Sequence, residues 1–465
     1  MPTIHLQCEG ESIPFELSDD WDIRGMSEPS GLLDGADAIP NALLDAIGTP
    51  PLGEIAREKL ETNPDAEAVI VVSDNTRPVP YRGNDGLMVH LLNTLLNAGY
   101  EQDQITVLIG AGSHRNMEPD EIEEMLGLRE QGFDEVHVEN HEYANDDQLV
   151  DLGTTEHGTP ALVNKRYVEA DLKIVTGLVE SHFMAGASGG RKGICPAIAG
   201  KETLTSFHGA EPMSSPNAVD LTLENNPLHR ESLAVAHKAG CDFIVNVTID
   251  NDERLTGVFA GDLEEAHDQA VERIREYVTV DLDKRYDVVL VPGRFVAVNH
   301  YQAAKAAVEA SRAVKQDGHI VLVADNTDPD PIGGEGYKKS LEVFMDRGTD
   351  GFRSYIHKNE LIQEQWQVQK WANVFDQIGG PEHLLYCATQ IPVEAYDRLP
   401  GRAGIKLLSD QERSEKTPEE QLRTMVERSI EQALEECASV DPDLLYLEEG
   451  PYGIPQVTDR RKQPV

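Results

Sequence analysis

The sequence predicts an α/β protein built as two α/β domains with mainly parallel sheets. Three observations predict it. Unbroken apolar runs, as at 67–73, 105–112, 172–177, 242–250 and 286–292, have the character of strands buried on both faces. Segments of helical spacing lie between them, as over 85–99, where Leu87, Val89, Leu91, Leu92, Leu95 and Leu96 recur on one face. A length of 465 residues exceeds one hydrophobic core and points to two or three domains.

Along the chain, residues 1–66 are loosely patterned, with β segments at 3–7 and 13–17 and a helical segment near 55–60. The run 67–73 ends in Asp74-Asn75-Thr76-Arg77-Pro78-Val79-Pro80, where two prolines force an extended turn. The run 105–112 ends in Ser113-His114-Arg115, and an acidic-capped helix begins at Glu118. A short strand is expected at 136–140. The strand 172–177 leads into the glycine-rich loop 180–196. A helix at 231–238, a strand at 242–250 and an amphipathic helix at 262–278 close the first domain, the last linking it to the second. The second has strands at 286–292 and 319–325 around a helix at 302–314, then a turn-rich loop at 326–336, helices, and strands at 384–388 and 404–408. A helix at 418–437 and a segment at 444–453 follow. The expected boundaries are 1–275 for the N-terminal domain, 280–410 for the C-terminal domain, and 411–465 for a helix and strand packing back on the N-terminal domain.

Composition narrows the function. There are 83 acidic against 40 basic residues, a formal net charge of −43. Such a field repels nucleic acid and anionic membranes. The charge is spread along the whole chain, so it reads as a solvated surface, or as adaptation to high salt, where screening relieves self-repulsion. No run of 18 apolar residues is present, and the first residues lack a basic-then-apolar leader. The five cysteines are scattered and form no CxxC pair, which fits a reducing cytoplasm rather than a disulfide framework.

The chemistry gathers around Ser181-His182 and Ser188-Gly189-Gly190-Arg191-Lys192-Gly193. This loop matches neither the Walker A pattern nor G-x-G-x-x-G. An amine here can hold a phosphate, or serve as a covalent attachment point if its pKa is depressed. Three strands end in loops carrying Asp74 and Arg77, His114, and His182, and ligands of open α/β sheets gather beyond carboxyl ends of strands. Each of His114, His182 and His208 alone is readable as a surface or hydrogen-bonded histidine. Together, two of them could form an acid/base pair and a third could bind a metal through neutral imidazole. Arg77 suits a carboxylate or phosphate, with a surface salt bridge as the plainer reading. Gln302 and Lys305 fall three apart on the first turns of a helix. Trp366 and Trp371 read first as core.

These residues resemble the lactate racemase family of nickel-pincer nucleotide enzymes. The matching pieces are Asp74-Asn-Thr-Arg-Pro78, Gly112-Ser-His-Arg115, Ser181-His-Phe-Met-Ala-Gly-Ala-Ser-Gly-Gly-Arg-Lys192, His208 and Tyr301-Gln-Ala-Ala-Lys305. The resemblance implies a cofactor site in the cleft between the two domains. The cofactor would be the nickel-pincer nucleotide, a pyridinium mononucleotide with thioamide and thiocarboxylate arms. Lys192 would be its covalent attachment, with Thr76, Gly189, Gly190 and Arg191 around it and the glycines making room for it. His208 would be the nickel ligand, and His114 and His182 the acid/base pair. Arg77, Lys305, Gln302, Asp74, Tyr301 and Trp366 would form the substrate pocket. The implied function is racemisation or epimerisation at C2 of a small-molecule 2-hydroxy acid by reversible hydride transfer, with cofactor-maturation proteins as partners. Non-catalytic cofactor binding and 2-hydroxy acid oxidation are the alternatives. Pro196-Ala197-Ile198 departs from the Pro-Gly-Ile common in the family, so the end of the loop is expected to differ in shape.

Overall fold

The computed structural model describes residues 1–250 and 252–458, and the chain divides into two compact units. One is Glu28–Glu276; the other joins Met1–Ser27 to the chain from Tyr277 onward.

The Glu28–Glu276 unit is built on a six-stranded sheet in the order Leu255–Gly261, Phe243–Ile249, Leu172–Leu178, Ala68–Ser73, Ile105–Gly110, His137–Asn140. All pairings are parallel except that of the edge strand Leu255–Gly261. Ala68 through Val72 are fully buried, which is why this strand reads as an apolar run rather than an alternating one. The helix Leu87–Ala98 turns Leu87, Met88, Leu91, Leu92 and Leu95 into the core and stops at Gly99, whose φ of 118° closes the last turn. Helices Gly35–Leu44 and Leu52–Thr62 pack beside it. Two strand pairings were not expected from the sequence: the antiparallel edge Leu255–Gly261, and a hairpin of Leu149–Thr154 with Pro160–Asn164.

The other unit holds an all-parallel six-stranded sheet in the order Arg402–Ala403, Leu384–Cys387, Val314–Val323, Tyr286–Pro292, Leu444–Leu447, Trp21–Arg24. The helix His300–Ala313 packs on its central strands through Ala303, Ala304, Ala307 and Ala310, all fully buried. Small side chains let this helix approach the sheet closely.

Two expected boundaries are corrected. Residues 1–27 do not belong with the first domain, because Trp21–Arg24 pairs with Leu444–Leu447 as the edge of the second sheet. The C-terminal segment, over its described residues 411–458, belongs to the second unit as well. The helix Pro418–Glu436 covers Val314–Val323 and Leu384–Cys387, and Leu444–Leu447 is inserted between two strands of that same sheet. A buried strand must have both edges hydrogen-bonded, and these neighbours satisfy them. The apolar stretch at 404–408 is a 3-10 turn, Gly404–Leu407, rather than a strand; Ile405 and Leu408 are buried, and the Pro418–Glu436 helix packs on the turn. Among the described residues no helix is long and apolar enough to cross a membrane.

Candidate active site

The strands Leu172–Leu178, Ala68–Ser73 and Ile105–Gly110 are neighbours in the first sheet, so the loops leaving their carboxyl ends adjoin. Asp74 follows the middle strand and is 5% exposed. Its Oδ1 accepts from the Thr76 hydroxyl at 2.5 Å and the Thr76 N–H at 3.3 Å. Its Oδ2 lies 2.7 Å from His114 Nδ1. Burial disfavours the carboxylate, but the bonds from His114 and Thr76 outweigh it and hold its pKa below the usual range. A carboxylate only accepts, so His114 Nδ1 carries the proton and Nε2 carries the lone pair. The Arg77 guanidinium is exposed, donates to the Thr76 carbonyl at 3.3 Å, and makes no ion pair among the described residues. The surface salt bridge considered for it is therefore absent.

His182 is set by the loop's own backbone. Ser181–His182 pairs antiparallel with Gly186–Ala187, and the tight turn between them directs the N–H groups of Met184 and Ala185 at His182 Nδ1, at 3.4 and 3.2 Å. Nδ1 is thus the acceptor and Nε2 bears the hydrogen, the reverse of His114. His182 Nε2 lies 3.3 Å from Lys192 Nζ. With the N–H on the imidazole side, this contact is a hydrogen bond only when the amine is neutral. Burial first, then the charges of Arg191 and Arg77, lower the Lys192 pKa to about 7, so its charged and neutral forms are both populated near neutrality.

His208 ends the helix Lys201–Phe207. Its Nδ1 donates to the Leu204 carbonyl at 3.0 Å, which fixes the tautomer with the lone pair on Nε2. Burial, and then the Lys192 charge, lower its pKa to about 4, so it is a neutral imidazole at physiological pH. Among the described residues no group of three or more His, Cys, Asp or Glu is placed to hold a metal. A metal bound by His208 would need its other donors from a bound organic group.

The loop's glycines serve the protein's own packing. A Cβ at Gly190, whose φ is +50°, would meet the His267 ring at 2.7 Å, and one at Gly189, φ +72°, would meet Val179 at 2.6 Å. The Gly190 N–H is taken by Asn246 Oδ1 at 2.9 Å. The Arg191 side chain also differs from the cofactor contact expected of it. It is 1% exposed, donates to the Ala185 carbonyl at 2.7 Å and lies 2.9 Å from His267 Nε2. It braces the loop from below.

In the other unit, Asn299 caps the helix His300–Ala313 by accepting the Gln302 N–H at 2.8 Å. Trp366 Nε1 donates to the Tyr301 hydroxyl at 3.1 Å, and Gln367 Nε2 donates to the Tyr301 carbonyl at 2.5 Å. Tyr301 and Trp366 therefore form one cluster, with Gln302 and Lys305 on the same helix. Gln302 Oε1 is buried with no partner. Trp371, by contrast, is fully buried and donates to the Tyr337 hydroxyl, as a core residue.

Sequence reasoning missed Ser188, Asn246 and His267. Ser188 Oγ donates to the Leu178 carbonyl and accepts from the Glu180 N–H, both at 2.8 Å, closing the base of the loop. A signal existed for two of them. Asn246 is the lone amide in the buried run 243–249, and His267 stands between apolar-face residues Ala266 and Ala270. Buried polar side chains are held by partners, and here the partner is the loop.

Fold and site together define a two-unit α/β enzyme whose histidines and lysine lie at the carboxyl end of a parallel sheet. The sequence pattern of the lactate racemase N-terminal domain matches residues 9–220. Lactate racemase from Thermoanaerobacterium thermosaccharolyticum is 33% identical over 347 residues, 73% of this chain and 76% of that protein. The Lactiplantibacillus plantarum lactate racemase is 31% identical over 345 residues, 73% of this chain and 77% of its own. The solved lactate racemase apoprotein from T. thermosaccharolyticum superposes with a TM-score of 0.82 at 26% identity, covering 98% of this chain and all of that one. The chain belongs to the lactate racemase family, whose named members are isomerases.

Proposed function

We propose that this enzyme inverts C2 of a 2-hydroxy acid, with lactate as the first candidate because the relatives carry that name. The observation that carries the reading is the opposed tautomers of His114 and His182. One presents a lone pair at Nε2 and the other an N–H, each held by a partner at Nδ1. Nε2 is thus the nitrogen of each ring left to exchange a proton with a substrate, and a two-base inversion starts each turnover with one ring neutral and the other protonated as the imidazolium.

The residues present fit a nickel-pincer nucleotide. Lys192, with its pKa lowered to about 7, is an uncharged nucleophile near neutral pH and would be the covalent attachment. Neutral His208 would ligate the metal through Nε2. Such a group, when bound, supplies a hydride acceptor and donor at C2, which spares the enzyme removal of a weakly acidic C–H proton. The chain's own residues do the rest. His114 accepts the hydroxyl proton, Asp74 steadies the resulting imidazolium, and Arg77 holds the substrate carboxylate. Gln302 and Lys305 would add donors to the carboxylate, and Tyr301 and Trp366 an aromatic wall. His182, protonated as the imidazolium, would supply the proton for the hydroxyl group on the other side, and the two rings exchange roles in the reverse direction. Maturation proteins in the cytoplasm would build the cofactor.

The test is incubation of nickel-loaded protein with single enantiomers of lactate and other 2-hydroxy acids, following optical rotation. Inversion without net keto acid supports the reading. Release of keto acid identifies an oxidase, and no turnover across the panel identifies a carrier. An unmodified Lys192 in active protein, read by peptide mass, would sink the attachment.

A further inference from the structure

Arg191 is a buried cation with no ion pair among the described residues; the nearest opposing charge, Asp268, acts on it only from a longer distance. Its side chain is 1% exposed, and no carboxylate lies within ion-pair distance of it among the described residues. Two of its nitrogens face the Ala185 carbonyl and His267 Nε2, but its Nε is buried with no partner. The His267 contact is itself compromised, because the same Nε2 lies 2.8 Å from the Ser188 carbonyl and cannot both donate there and accept from Arg191. Buried charges are normally paired, and an unpaired one costs several kcal/mol or is neutralised.

The guanidinium lines a pocket of about 840 Å³ between the helices Pro227–Ala239 and Glu265–Val278. A second orphaned polar atom lines the same pocket, His229 Nδ1, which is buried and has no partner. Neither Lys192, His182 nor His208 contributes to its wall, so it is distinct from the proposed reacting face. Leu221, Leu233, Leu263 and Val271 give it apolar sides. Glu224, Glu264, Asp268 and Glu272 bring negative charge to the same lining, all from exposed positions, and Arg230 and Arg275 bring positive charge.

We propose that this pocket binds a small, singly charged carboxylate whose head group is held by Arg191 Nε and His229 and whose short aliphatic chain lies on the leucines. The orphaned donors call for an anion, and the volume exceeds what a halide needs but suits a small organic acid. Four carboxylates (Glu224, Glu264, Asp268, Glu272) against three guanidinium groups (Arg191, Arg230, Arg275) leave the wall net negative, which disfavours anions of higher charge. Occupancy supplies the missing counter-charge to the residue that precedes Lys192, and so braces the loop independently of the chemistry on its other side.

Propionate, which has no 2-hydroxyl group to be oxidised, is the probe. Titration of the full chain with sodium propionate, at constant sodium concentration and followed by calorimetry and by saturation transfer to its methyl protons, is expected to show one saturable site. Hydrogen phosphate at pH 8 is expected to bind at least tenfold more weakly. Arg77 offers a competing carboxylate site, so two variants assign the signal. Leu233→Trp, which fills the pocket, is expected to weaken propionate at least tenfold, and Arg77→Ala is expected to leave it unchanged. Arg191→Met should match Leu233→Trp; if this buried substitution fails to fold, Leu233→Trp with an unchanged circular dichroism spectrum carries the test. Absence of saturable binding, binding indifferent to Leu233→Trp, loss in Arg77→Ala, or phosphate binding as tight as propionate each overturns the proposal.

Discussion

His114 Nδ1 lies 2.7 Å from Asp74 Oδ2, and this one contact decides which nitrogen of the ring can act as a base. Asp74→Asn keeps the volume but lets the ring adopt either tautomer. Racemisation is expected to fall by about 10²–10⁴-fold in kcat with little change in KM. Initial rates of optical inversion against substrate concentration check this. A fall in kcat/KM carried by KM alone would assign Asp74 to binding instead.

The three histidines should separate by what each variant loses. His114→Ala and His182→Ala are expected to keep nickel and lose inversion by about 10²–10⁴-fold. His208→Ala is expected to lose nickel, because its Nε2 is the accepting nitrogen once Nδ1 donates to Leu204. Metal content by mass spectrometry beside inversion rate distinguishes them; equal metal loss in all three would refute the assignment.

Lys192 should react with amine reagents near neutrality. Burial and the neighbouring Arg191 and Arg77 charges lower its pKa to about 7, so its labelling should rise through about pH 7 in the apoprotein, well below the other lysines. Arg77→Ala removes one positive neighbour and should shift the midpoint upward. Peptide-resolved labelling across pH 5–10 measures both.

Acid should weaken the apoprotein before its carboxylates titrate. His300 is fully buried, accepts from Tyr337 through Nδ1 at 2.7 Å, and has its pKa lowered to about 3 by burial. The unfolded chain therefore binds the extra proton between about pH 6.5 and 3. Stability falls as pH drops through that window, by about 1.4 kcal/mol per pH unit for this group. His300→Phe should flatten the slope by about that amount between pH 6 and 4. Urea unfolding at a series of pH values checks it.

Salt should stabilise the protein. With a net charge of −43, self-repulsion is relieved as screening shortens from about 10 Å at 0.1 M to about 3 Å at 1 M. The thermal midpoint is expected to rise by about 5–10 °C between 0.1 and 2 M KCl. An unchanged or falling midpoint would make the acidic surface unrelated to salt.

The strands of the first sheet were legible because a strand buried on both faces must be apolar throughout, as Ala68–Ser73 and Ile105–Gly110 are. Short pairings were not. Trp21–Arg24 is four residues long with a mixed pattern, and only its partner Leu444–Leu447, over 400 residues away, makes it a strand. For the same reason the end of the chain was assigned to the wrong unit.

The glycine-rich loop divides in the same way. Its sequence, with the flanking histidines, supplied the reactive side chains, an amine and three imidazoles, in an order that resembles the lactate racemase family. The tertiary structure decided the state of each group. Asp74 and the Met184 and Ala185 amides set which nitrogen of His114 and His182 is left free for substrate, and burial beside Arg191 and Arg77 lowers the Lys192 pKa to about 7. Residue type fixes what a side chain can donate or accept. Which of those it does depends on partners and solvent exposure, which are set only when distant segments meet.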